Sequence, residues 1–341
     1  MRYNRVQREE IDLNINDVAR EAGVSKTTVS RVLMGGDKVK LATKERVLEV
    51  IRRLNYTPNT SAQMLAKKSN RVLGVISTFP ISDPFYAHVN DRIAVECEKH
   101  NYGTIFVVCR DSSGKSCERE IAMLYGKVDG YILVGNEHIS EGNIDQLVEN
   151  NMPVALVKTG FARNGALMVD IDNVKSGAMA ANYLYRKGYR RVGYLHGDRN
   201  CGFQEGDERF LGFKQEMQRL SMKLAAEFYS DRNYRTTSRI TEKIVNSGID
   251  ALFCETDVMA YAVVSELLDR NVRVPQDIAV LGFDDIKFRN FENYIRLSTV
   301  AQPIDRMAAC VVAALVNRIE NEVPYGDVQL FETKIVEGRT T

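Results

Sequence analysis

Eight short apolar runs, in two series of four, constrain this chain more than any other feature. The first series is RVLGVIS (71–77), GTIFVV (103–108), DGYILVG (129–135) and PVALVK (153–158); the second is RVGYLHG (191–197), AEFYS (226–230), ALFCE (251–255) and IAVLGFDD (278–285). Helix-like stretches separate neighbouring runs, which is the alternation of a parallel α/β sheet. Two such series in tandem predict two wound sheets with a ligand cleft between them, at the carboxyl ends of the strands. VDIDN (169–173) marks the first crossing, and a late helix at about 303–322 and a last strand at about 331–337 cross back.

At 341 residues the chain is too long for one ordinary core. Its 44% hydrophobic and 27% charged residues exclude disordered and collagen-like classes. No apolar run approaches the ~18 to 20 residues of a membrane helix, and residues 1–14 lack a signal-like apolar segment, so a cytoplasmic location is expected. Six cysteines (Cys97, Cys109, Cys117, Cys201, Cys254, Cys310) without a C-x-x-C spacing predict reduced core thiols rather than zinc ligands or disulfides. The net charge of +1 hides an asymmetry: residues 1–69 hold 14 Lys/Arg against 8 Asp/Glu, and the remainder is net −5. A basic head on an acidic body suits a polyanion-binding module joined to a separate regulatory domain.

Within the head, DVAREAGVSKTTVSRVL (17–33) reads as two short helices meeting at Gly23. Asn14 caps the first, with Asp17 in its first turn; Gly23 ends it, and Ser25 caps a second running to about Leu33. Val18, Ala19, Ala22, Val29, Val32 and Leu33 fall inward, and a third helix at about 43–54 closes the core with Val47, Leu48, Ile51 and Leu54. As a helix-turn-helix, this unit lays its second helix in the major groove. Lys26, Thr27 and Arg31 then read base edges, and Asn14, Ser25, Thr28, Ser30, Lys38, Tyr56 and Asn59 hold phosphates. The alternative is an αα-hairpin of a helical bundle with a solvated polar face. NYTPNTSAQMLAKK (55–68) adds a Pro-led stretch of about two turns, too short to be stable alone, in which Leu65 either packs or wedges between base pairs in the minor groove.

These motifs, in this order and spacing, resemble the LacI family of transcription regulators. The resemblance implies that residues 59–67 are a hinge helix with Leu65 as its minor-groove leucine. Met34, Lys40 and Gln63 depart from the family pattern at a usual Asn, Ser and Arg. It also implies a periplasmic-binding-protein-like core. SDPFYA points Phe85 and Tyr86 at a ligand, RFLGF supplies Arg209, CETDVMA places Thr256 and Asp257 at a usual Asn-Asp pair, and GFDD supplies Asp284. Each has a plainer role open to it: helix caps for Asp257 and Asp284, sheet cover for Phe85 and Tyr86, a surface ion pair for Arg209. Lys158 stands where the family usually has Asp, replacing an acceptor by a charged donor. With Arg209 it suggests an anionic effector, a sugar acid or sugar phosphate, unless Lys158 points to solvent.

No nucleotide-loop, metalloprotease or nucleophile-elbow motif occurs, and His88, His100, His138 and His196 are scattered, so neither a metal site, a cofactor nor an enzyme is expected. The acid pairs Asp170/Asp172 and Asp284/Asp285 have no nucleophile beside them. A transport solute-binding protein would need export and no DNA-binding head. The expected fold class is α/β. It divides into a helix-turn-helix domain (1–58), a hinge helix (59–69), an N-terminal lobe (70–172 and 300–322) and a C-terminal lobe (173–299 and 323–341). The expected function is a homodimeric repressor of a carbohydrate-catabolism operon. It would bind pseudo-palindromic operator DNA and be released by a small sugar-like effector, with a corepressor-dependent regulator as the alternative.

Overall fold

The computed structural model describes residues 13–33, 39–56, 69–109, 117–135, 139–197, 204–230, 237–286, 295–324, 326 and 328–341. The chain divides after Asn70 into two compact units. In the first, α1 (Ile15–Ala22) starts at Asn14, whose side chain accepts from the Asn16 N–H while Asp17 accepts from the Asn14 N–H. Gly23 ends it in the left-handed region at φ 62°, which costs a glycine little. A second helix, α2 (Lys26–Leu33), begins where Ser25 Oγ accepts from the Thr28 N–H at 3.1 Å. Both caps were expected. The third, α3 (Leu41–Arg53), starts two residues earlier than its pattern suggested, and Lys40 before it makes no side-chain cap bond. Val18, Ala19, Ala22, Val29, Val32, Val47, Val50 and Tyr56 form the buried core.

The second unit opens with β1 (Val72–Ser77), α4 (Pro84–Lys99), β2 (Gly103–Val108), α5 (Glu118–Leu124), β3 (Gly130–Val134), α6 (Glu141–Glu149), β4 (Val154–Val157) and β5 (Leu167–Ile171). It continues with α7 (Asn173–Arg186), β6 (Arg191–His196), α8 (Gln204–Arg219), β7 (Lys223–Tyr229), α9 (Thr237–Asn246), β8 (Ala251–Cys254), α10 (Asp257–Asp269), β9 (Ala279–Asp284) and β10 (Ser298–Ala301). Last come α11 (Ile304–Asn321), β11 (Val328–Phe331) and β12 (Lys334–Val336). One sheet has the order β11-β5-β4-β3-β1-β2 and is parallel throughout; the other is β12-β10-β9-β8-β6-β7, parallel except for antiparallel β12. All eight apolar runs are strands. The central ones are buried along their whole length because helices cover both faces.

Three expectations change. The single last strand at 331–337 is two strands: β11 joins the first sheet and β12 the second, with the crossing between Phe331 and Lys334. Two further strands lie outside the eight runs: β5, which ends in the stretch read as the first crossing, and β10. Cys109 and Cys117 are joined as a disulfide rather than standing as thiols, because the fold brings their Cα atoms to 5.7 Å. The late helix is α11. It buries Ile304, Met307, Ala308, Val311, Val312, Leu315 and Val316 along one face, each side chain contributing about 1.5 to 3 kcal/mol for the larger aliphatics. That stripe packs on α4 and the first sheet and belongs to a core cluster that also includes Val192, Phe253, Leu281 and Phe283 of the second sheet.

Candidate functional site

On the head, the side of α2 opposite Val29 and Val32 is polar and open. Lys26, Thr27 and Arg31 are exposed, and among the described residues no hydrogen bond or ion pair engages their side chains. Ser25 and Thr28 are partly occupied with each other, their hydroxyls 2.9 Å apart, and Asn14 is occupied in its cap. Ser30 is half-buried, and the Tyr56 ring sits in the core, 8% exposed. Lys38, Asn59 and Leu65 lie outside the described residues.

In the second unit, the carboxyl ends of the strands gather the other candidates. Asp83 caps α4, its Oδ1 accepting from the Phe85 and Tyr86 N–H groups, with Pro84 as the first helical residue. This start turns Phe85 and Tyr86 inward, where Tyr86 stacks on Phe79 with ring centroids 3.8 Å apart. Just beyond β4, Lys158 adopts φ 58° and is fully buried, so it does not point to solvent. The β4–β5 register pairs Val157 with Val169 and so brings Lys158 beside Asp170; Nζ and Oδ1 are 2.6 Å apart. The Ile171 N–H donates to the same oxygen.

Across from these, Arg209 is set by the crossing of α7 and α8. A Cβ on Gly177 would lie 1.9 Å from the Arg209 carbonyl oxygen, and one on Gly212 equally close to that of Val174, so only glycines permit this approach. Arg209 Nε then donates to Asn173 Oδ1 and a terminal nitrogen to the Glu255 carbonyl, with the guanidinium 3.7 Å above the Phe283 ring. Thr256 caps α10 through its Oγ1. Asp257 is buried with both oxygens engaged, by the Thr299 hydroxyl at 2.7 Å and the Ile286 N–H at 2.8 Å, and so braces the corner that follows β9.

Asp284 stands at that corner with φ 118°. Its Oδ1 accepts from Gln302 Nε2 at 2.8 Å, and Gln302 Oε1 is buried without a partner among the described residues. Burial pushes the Asp284 carboxyl up to about 7, against the pull of Arg209, Gln302 and Lys158, while Asp83 adds to the rise. Lys158 and Asp83 belong to the first winding and Asp284 to the second, so the two sets of strand ends face each other. Burial likewise holds the Asp257 carboxyl well above the usual range, with Asp284 beside it.

The structure thus gathers Lys158, Arg209 and Asp284, while Thr256 and Asp257 are engaged within their own sheet. Of the acid pairs, Asp170 is tied to Lys158, and Asp172 caps α7 and pairs with Lys175. His196 sits among Tyr194, Phe210 and Tyr229, its Nε2 3.1 Å from Glu227. Among the described residues no group of His, Cys, Asp and Glu could hold a metal ion, and no helix is long and apolar enough to cross a membrane. Sequence reasoning missed Gln302 and Asp83. Asp83 carried a signal, an Asp-Pro before an apolar helix; Gln302 carried only its place before Pro303.

Residues 14–59 match the family description "Bacterial regulatory proteins, lacI family", and residues 181–341 match "Periplasmic binding protein-like domain". The chain carries a LacI-family DNA-binding domain and a periplasmic-binding-protein-like domain. Among its relatives is the HTH-type transcriptional repressor CytR of Escherichia coli (strain K12), 26% identical over 340 residues and covering 97% of each chain. A solved complex of the transcriptional regulator CelR with cellobiose is 25% identical, covers 96% of this chain and all of that one, and superposes with a TM-score of 0.67. The Lac repressor bound to ONPG in its repressed state shares the fold at a TM-score of 0.80, with 22% identity over 96% of this chain and 99% of that one. With these two domains the chain is a DNA-binding transcription regulator. Its helix-turn-helix and its two sheets match the elements expected of the LacI family.

Proposed function

We propose that this LacI-family regulator is a cytoplasmic homodimer that represses a carbohydrate-catabolism operon. Lys26, Thr27 and Arg31 would face base edges of a pseudo-palindromic operator, and Leu65 would wedge into the minor groove. A sugar binding between the two sets of strand ends would lower operator affinity, provided it prefers the conformation that binds DNA less well. The supporting observation is that Asp284, bonded to Gln302 and beside Arg209, is within electrostatic reach of Lys158 and of Asp83, the cap of the helix that carries Tyr86. Acceptors, a forked donor and an aromatic face are what a hydroxyl-rich ring requires. The CelR–cellobiose complex lends the same reading its ligand class.

An anionic effector loses its first support. The Lys158 charge is already matched by Asp170, and the other cation, Arg209, stands beside the buried Asp284. A neutral sugar is therefore the better fit. A thermal-shift screen of neutral sugars, sugar acids and sugar phosphates tests this, because a cleft ligand raises the melting temperature by mass action. Neutral sugars are expected as hits, lost in Arg209→Ala and Asp284→Ala; hits confined to sugar acids or phosphates would overturn the neutral assignment. Operator binding should fall steeply with salt, and Arg31→Ala should cost about 1 to 3 kcal/mol in operator affinity with relaxed preference at one base pair. Tighter binding with the sugar present would identify a corepressor instead.

A further inference from the structure

Cys109 and Cys117 are bonded in a chain whose other described cysteines, Cys97, Cys254 and Cys310, are free thiols. Burial pushes the Cys97 thiol up to about 12 and raises those of Cys254 and Cys310, so these three stay protonated and unreactive. Thiol chemistry among the described residues is therefore concentrated in one pair. The pair occupies a particular corner. Cys109 directly follows β2, and its N–H donates to the Ser77 carbonyl at 2.9 Å. Ser77 closes β1, and its hydroxyl donates to the carbonyl of Phe79, the residue stacked on Tyr86. Cys117 immediately precedes α5, where its carbonyl accepts from the Ile121 N–H at 3.0 Å.

The bond thus ties the cleft end of β1 and β2 to the start of α5. It closes a short ring, which removes less entropy from the unfolded chain than a long one would. Around it Ile76, Ile121, Leu124, Val128 and Leu133 already form an apolar cluster. A bond so placed constrains one local corner rather than holding the domain together.

We propose that Cys109–Cys117 is a reversible redox modification site. Its oxidation, by a low-molecular-weight disulfide such as oxidised glutathione, fastens this corner of the cleft wall, and its reduction releases it. In the forward direction one cysteine thiolate, its proton lost to solvent, attacks a sulfur of the small disulfide and expels one small thiolate, leaving a mixed disulfide. The second cysteine, deprotonated in turn, attacks the protein sulfur of that mixed disulfide and expels the other small thiolate. Two electrons pass from the cysteine pair to the small disulfide, and the two protons end on the two released thiols. Reduced glutathione reverses both steps. Because both sulfurs are buried, exchange proceeds through local opening of this corner rather than through global unfolding.

The full-length protein, equilibrated in glutathione buffers from fully reduced to fully oxidised, tests the proposal. Alkylation with mass spectrometry reads the state of each cysteine, and hydrogen–deuterium exchange reads the same samples. Cys109 and Cys117 are expected to titrate together between thiol and disulfide in folded protein while Cys97 and Cys254 stay thiols. Reduction is expected to speed exchange at the Cys109 and Ile121 amides by about tenfold. A pair locked in one state across the whole range, or one that titrates without changing exchange there, overturns the proposal. The C109S/C117S double variant should show the reduced pattern in every buffer; a redox response that persisted in it would also overturn the assignment.

Discussion

At the end of the first sheet a buried cation meets its counter-ion, Lys158 on Asp170; at the end of the second, Asp284 is buried with a neutral amide on one oxygen, and that amide's own oxygen is unpartnered among the described residues. The two sheets have the same winding, each with its first strand beside its second and its last strand on the far edge. They differ in how they satisfy charge. One end neutralises itself, whereas the other keeps an acid whose ionisation burial opposes more strongly than Arg209, Gln302 and Lys158 favour it. A hydroxyl-bearing ligand has most to offer the second end, since only there would its donors relieve groups that the protein leaves short.

The comparison breaks most visibly at Asp170. Asp170→Ala leaves Lys158 buried without its carboxylate and is expected to cost about 3 to 5 kcal/mol, read from the urea midpoint of the core. Replacing both partners together, as in Lys158→Met with Asp170→Leu, is expected to recover most of that loss. A single-variant cost below about 1 kcal/mol would mean that water reaches the ammonium and that the first end is not self-contained.

Asp284→Asn should act with the opposite sign. The folded-state value of about 7 lies above the unfolded one, so the protonated carboxyl stabilises at low pH, and that stability is lost as pH climbs from about 4 to 7. Above 7 the cost of the buried charge is complete. Asp284→Asn, which keeps an acceptor for Gln302, is therefore expected to be more stable than the parent by about 3 kcal/mol at pH 8, with the gain vanishing towards pH 4. A pH-independent effect would show that Asp284 does not titrate in this range. A sugar that donates to the charged carboxylate should bind up to about tenfold more tightly at pH 8 than at pH 6 by calorimetry, and this slope should disappear in Asp284→Asn.

The two ends were unequally legible before the structure. Arg209 and Asp284 sit in local patterns, and the strands that carry the site are contiguous apolar runs that both faces of a parallel sheet require. Asp170 as the partner of Lys158 depends on the β4–β5 register, which a sequence with two adjacent apolar strands does not announce. Gln302 follows the four-residue β10, Ser298–Ala301, too short and too polar to show a period. The chain's last crossing was hidden for a different reason: β11 is only four residues long and lies three residues before β12, so the two short strands read as one, and three of its four residues are exposed although apolar side chains predominate. Cys109 and Cys117 carry no motif at all, and only the approach of β2 to α5 pairs them.

The smallest effect is the most discriminating. Gln302→Met removes two things at once, the amide that donates to Asp284 and the buried oxygen that lacks a partner. Losing a hydrogen bond to a charged group costs about 1.5 to 3 kcal/mol, and removing an unsatisfied buried acceptor returns about 1 to 3, so the two nearly cancel. Stability at pH 8 is expected to change by less than about 1 kcal/mol, while affinity for the sugar found by thermal shift falls by about tenfold or more, because the ligand has lost an acceptor in the cleft. That separation of affinity from stability is what an end kept open for a ligand must show. If Gln302→Met instead destabilises the core as much as Asp170→Ala while leaving sugar affinity unchanged, Gln302 is a brace, and the second sheet is as complete in itself as the first.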